Sequence, residues 1–96
     1  MTLQKRETRG AGRHDKRVQS LFIAAHEYHK NYGVQQIEVE SFFKYINEHR
    51  EKKTKFRGKF EAPEFKDLEE LLADLFEMDN QGKILLESDQ TNFTLI

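Results

Sequence analysis

Apolar residues along this chain recur at two periods, and the switches between them outline the fold. Val18, Leu21, Phe22, Ala25, Tyr28 and Tyr32 fall at i, i+3, i+4 and i+7 spacing and predict a helix over 15–31. Asp15 suits its N-terminal cap, and Gly33 suits a left-handed stop. Residues 34–39 alternate in part and predict one short strand. Phe42, Phe43 and Ile46 restore the helical period over roughly 40–51, with Val39 on the leading edge. Ala62-Pro63-Glu64 is expected to open a third helix, with Pro63 in its first turn. Its face of Phe65, Leu68, Leu71, Leu72, Leu75 and Phe76 is the strongest in the chain, and Asp79-Asn80-Gln81-Gly82 ends it. Alternation returns over 83–87 and 92–96 around the polar turn Ser88-Asp89-Gln90-Thr91, which predicts a β-hairpin.

The order helix, strand, helix, helix, β-hairpin is that of an α+β winged helix, three helices packed on a small antiparallel sheet. In that arrangement the third helix is the recognition element and the hairpin is the wing. The domain is expected over 15–96, interrupted by one polar loop at 50–62. Residues 1–14 carry a single large apolar side chain beyond the initiator, Leu3, and read as a flexible basic tail or a linker stub.

Composition narrows the class. Ninety-six residues make one small domain, and eight Phe with three Tyr are too many for a wholly disordered chain. No cysteine is present, which removes disulfides, thiolate zinc sites and a thiol nucleophile. No apolar run approaches the roughly 18 residues of a membrane span, and no secretory signal is seen. An intracellular, nuclear protein is the expectation.

The net charge of −1 hides segregation. Residues 1–17 carry six cations against two acids, and residues 50–60 carry six against one. Residues 61–96 carry ten acids against Lys66 and Lys83. Such asymmetry speaks to partners more than the near-zero total does.

Two surfaces follow from it. The loop supplies Arg50, Lys52, Lys53, Lys55, Arg57 and Lys59, which could neutralise phosphates while Phe56 and Phe60 stack on bases. The same residues also suit an acidic protein partner, a nuclear-import signal, or a solubilising loop anchored by one Phe. The tail cations Arg9, Arg13, Lys16 and Arg17 would add to either role. Helix 3 is acidic on its expected outer side, where Asp67, Glu70, Asp74 and Glu77 are the candidate protein-docking residues. Phosphates repel such a surface, so groove reading by this helix is disfavoured and docking on a basic partner stands beside a plain solvated face. The loop and helix 3 could also pair with each other, within or between molecules.

Catalytic chemistry finds no footing. His26 and His29 share a helix face at i, i+3 but lack a third ligand fixed by the sequence, so they read as ordinary histidines and no metal is expected. Glu69 and Glu70 point in different directions on a helix, and no Walker motif or Ser-His-Asp pattern is present. The expectation is a non-enzyme with no cofactor and no small-molecule substrate.

Residues Phe22-Ile23-Ala24-Ala25-His26, Gly33-Val34, Tyr45-Ile46-Asn47, Leu75-Phe76-Glu77-Met78-Asp79-Asn80 and Phe93-Thr94-Leu95-Ile96 occur in an order that resembles one family. They resemble the C-terminal winged-helix domain of minichromosome maintenance (MCM) helicase subunits, the third-subunit type in particular, over roughly residues 15–96. The basic loop 50–62 is longer than that pattern. The resemblance implies a non-catalytic module acting in helicase loading or in regulating a neighbouring ATPase ring. Its partners would be proteins of the replication machinery, with DNA contacted through non-specific phosphate contacts if at all. The basic tail would then be the linker to the ATPase module.

Overall fold

The computed structural model describes residues 16–96 in full; for 2–15 only the backbone assignment is described. Eight elements follow one another: α1 (Thr2–Tyr32), β1 (Gln36–Glu38), α2 (Val39–Lys52), β2 (Lys55–Phe56), β3 (Phe60–Glu61), α3 (Leu68–Asn80), β4 (Ile84–Leu86) and β5 (Asn92–Leu95). The class is α+β: three helices and a small antiparallel sheet. The first helix runs from Thr2, not Asp15; the tail expected over 1–14 lies in this stretch, outside the residues whose side chains are described.

The three-stranded sheet has the order β1-β5-β4 and is antiparallel throughout. Ile37 faces Phe93 across β1 and β5, and Phe93 faces Leu86 across β5 and β4. All three side chains point inward, because residues opposite one another in a ladder share a face of the sheet. The alternation in the sequence therefore set the register, since a one-residue slip would turn this row to solvent. At the hairpin turn the Asp89 carboxylate accepts the Thr91 amide at 3.1 Å and the Thr91 hydroxyl at 2.8 Å. These bonds, the amide first, hold the Asp89 pKa below the usual carboxylate range.

One apolar core joins the layers. Val18, Leu21, Ala24 and Ala25 of α1 meet Val39, Phe42 and Ile46 of α2, and Leu71, Leu75 and Met78 of α3 close over them. Aromatic rings make a continuous run through this core. Phe42 lies edge-on to Phe93 at 5.2 Å and to Tyr28 at 6.1 Å, and Tyr45 contacts Tyr28 at 5.1 Å, His49 at 4.7 Å and Phe56 at 5.8 Å.

The Tyr45 hydroxyl ends this run without a well-formed hydrogen bond, buried beside Glu27 and Asn31. Burial first, then the Glu27 carboxylate, pushes its pKa up to about 12. The sign follows: this tyrosine supports the fold below its ordinary pKa near 10, and that support is lost as pH rises through about 12. An unmatched buried hydroxyl costs more than the bond it replaces would return. Tyr45→Phe is therefore expected to stabilise the domain by about 1 kcal/mol, seen as a higher melting temperature, and to abolish the late tyrosinate absorbance near pH 12. A lower melting temperature would mean that the hydroxyl is well bonded.

Three expectations need correction. First, α3 starts at Leu68, not at Pro63. Asp67 caps it by accepting the Glu70 amide at 3.1 Å, and the Glu70 side chain reaches back to the Lys66 amide at 2.6 Å. Residues 62–67 form the lead-in, from which Phe65 still reaches the core. Second, Phe76 is not core. A helix phased on Leu68, Leu71, Leu75 and Met78 leaves Phe76 45% exposed. Third, the basic segment is not all loop. Lys55↔Glu61 and Phe56↔Phe60 pair as a second hairpin, and Phe56 is fully buried. Positive φ at both Arg57 and Gly58, with the Lys59 amide donating to the Phe56 carbonyl at 3.0 Å, makes the tight turn between them.

Candidate interaction surfaces

The six loop cations do not form one patch. The α2 helix runs through Arg50 to Lys52, and Lys53 caps it in the left-handed region. Arg50, Lys53 and Lys55 line a cleft of about 380 Å³ with His49 and Thr54. Arg57 sits on the other side of the hairpin, where its backbone amide donates to the Glu27 carboxylate of α1. There it borders a hollow of about 430 Å³ with His26 and Lys30. Burial, then the charges of Arg57 and His29, lower the His26 pKa below its usual value. Lys52 is exposed on the last turn of α2. Arg50 and Lys59 also line a larger groove, about 900 Å³, where their companions are Lys16 and Arg17 of α1. Neutral groups of this groove, Gln19, Ser20 and Phe60, carried no functional expectation from the sequence except Phe60.

The four acids expected to form a docking face also divide. Asp67 and Glu70 are exposed, but both are engaged in capping α3. Asp74 is not on the outer face: it is 1% exposed and points into the molecule. There it accepts Arg17 Nε at 2.5 Å and a second Arg17 nitrogen at 3.0 Å, a bidentate bridge between α3 and α1. The Arg17 guanidinium also lies over the Phe65 ring at 5.6 Å. Glu77 stays half-exposed and accepts Gln81 Nε2 at 3.2 Å.

The solvent face of α3 therefore consists of Glu69, Glu70, Ala73, Phe76, Glu77 and Asn80. It is an acidic surface with an aromatic ring at its middle, and no cation lies within the helix. The sequence did hold a signal for this register. Asp67-Leu68-Glu69-Glu70 has the spacing of a capping box, and a helix counted from it places Phe76 outside and Asp74 inside.

Among the described residues, no group of three His, Asp or Glu is placed to hold a metal ion. No helix among them is long and apolar enough to cross a membrane. Compared with known proteins, the chain matches no family model, no curated protein and no solved structure.

Proposed function

We propose that this chain is a winged-helix protein-docking module of a replicative helicase subunit, acting in helicase loading or in regulation of the attached ATPase. The observation that carries the docking role is the solvent side of α3, which Glu69, Glu70 and Glu77 share with the 45% exposed Phe76. In a winged helix this is the element that would enter DNA, and a helix without cations has no group to meet phosphates or guanine edges. An exposed aromatic ring on a polar surface is instead of the kind that anchors a protein interface. The sheet order β1-β5-β4, with α2 and α3 between the first and last strands in sequence, supports the winged-helix reading. The helicase assignment is supported by the family resemblance of residues 15–96. A basic partner surface with an apolar pocket is what this face would fit.

Capture of purified loading factors and helicase subunits by the immobilised chain tests the proposal. Phe76→Ser together with Glu69→Lys is expected to weaken capture about tenfold, the loss of one aromatic anchor. Both positions face solvent, so the melting temperature should move by less than about 4 °C. Undiminished capture by a variant that melts normally would remove α3 as the docking surface.

A further inference from the structure

The groove of about 900 Å³ between the α1 segment around Lys16, the end of α2 and the strap 59–64 contains no α3 residue, so it is separate from the docking face proposed above. We propose that this groove binds the backbone of single-stranded nucleic acid. Four cations from three separate parts of the chain converge on it: Lys16 and Arg17 from α1, Arg50 from α2 and Lys59 from the hairpin turn. Two acids, Glu61 and Glu64, line it as well. Glu64 stands 3.5 Å from Arg50, and with the Glu64 side chain largely exposed and that of Arg50 partly so, the pair is weak and open to exchange for a phosphate. Arg17 is held in place from behind. Its Nε and one terminal nitrogen are spent on Asp74, which orients a planar five-donor group with N–H bonds still to offer. Gln19 and Ser20 add neutral side chains of the kind that bond phosphate oxygens.

One feature of the groove favours a single strand. Phe60 lines it, half-buried, with the aromatic face a base needs for stacking. Charge complementarity thus selects a polyanion, and the stacking ring selects nucleic acid over an acidic peptide.

Fluorescence anisotropy with a labelled oligothymidine, a labelled duplex of equal length and a labelled polyglutamate peptide tests this on the whole chain. If four phosphates are contacted, affinity for the oligothymidine should fall on the order of 50-fold between about 50 and about 200 mM salt. Lys16→Gln/Arg50→Gln/Lys59→Gln should bind several-fold more weakly and lose roughly half of that salt slope or more. Arg17 is left intact in this variant because Asp74 depends on it. The comparison variant Lys52→Gln/Lys53→Gln/Lys55→Gln removes the same charge outside the groove and should bind nearly as the parent does. Equal loss in the two variants would reduce the binding to net charge and overturn the proposal. So would a flat salt response, a preference for the duplex, or equal affinity for polyglutamate. Circular dichroism of both variants, expected to be unchanged, keeps a folding defect from passing as a binding defect.

Discussion

Arg17→Ala is expected to cost about 3 kcal/mol of stability, a fall in melting temperature of roughly 15 °C for a domain of this size. The reason is where the two partners sit. The Asp74 side chain is 2% exposed and that of Arg17 is 39% exposed. Truncating Arg17 removes two charge-assisted hydrogen bonds from a buried carboxylate, in a medium that solvates charge poorly. It also removes the cation that lies over Phe65. Truncating Asp74 is different, because the half-exposed guanidinium can turn to water. Asp74→Ala is therefore expected to cost less, about 1–2 kcal/mol. The double variant Arg17→Met/Asp74→Leu should recover most of the loss, since a well-packed apolar pair removes both desolvation penalties. Chemical denaturation of the four proteins gives the coupling directly. Equal and additive losses would mean that the bridge is not the element joining α1 to α3.

Phe56→Ala is expected to cost about 3–4 kcal/mol, whereas Phe60→Ala should cost about 1 kcal/mol. The two residues face each other across the β2–β3 hairpin, but Phe56 is fully buried and Phe60 is only half-buried. The Phe56 ring stacks on Tyr45 at 5.8 Å and lies 4.6 Å from His49, so its loss opens a cavity at the junction of α2 and the hairpin. The turn is tied to α1 by one backbone bond, from Arg57 to Glu27. Without the ring, the hairpin loses its main anchor. Amide exchange should then accelerate over 55–61 well before it does in the β1-β5-β4 sheet, at denaturant concentrations where the sheet is still intact. Similar costs for the two substitutions would show that the hairpin is held by its strands rather than by one side chain.

Both predictions concern residues whose surroundings were only partly legible from the sequence. Periodic apolar runs carried the helices α1 and α2, and alternation carried β1, β4 and β5. The ranges expected, 40–51 for α2 and 83–87 with 92–96 for the last hairpin, lie close to Val39–Lys52, Ile84–Leu86 and Asn92–Leu95. These elements are local: each buries a face that its own spacing defines, so the pattern records the outcome. The start of α3 was legible too, through the Asp67–Glu70 box, but Pro63, about one turn earlier, competed for the same role. Choosing Pro63 let the apolar run from Phe65 to Phe76 count as one face, which hid the outward Phe76 and the inward Asp74.

Charge patterning shows the same limit. The sequence alone determined that the cations and acids are segregated, that no disulfide can form, and that Phe and Tyr are numerous enough for a core. It also determined the register of the sheet, because the inward row of Ile37, Phe93 and Leu86 follows from the two-residue period. Only the tertiary structure decided which charges act together. Six neighbours in sequence, Arg50 to Lys59, are divided between the end of α2 and a hairpin whose turn reverses the chain, and Arg57 and Lys59 line different hollows. Two of them instead join Lys16 and Arg17, more than 30 positions away. An acid counted for the docking surface is buried against an arginine 57 residues distant. Side-chain electrostatics act through space over a few ångströms, and that distance is set by packing, to which spacing along the chain is blind beyond a single helix or hairpin.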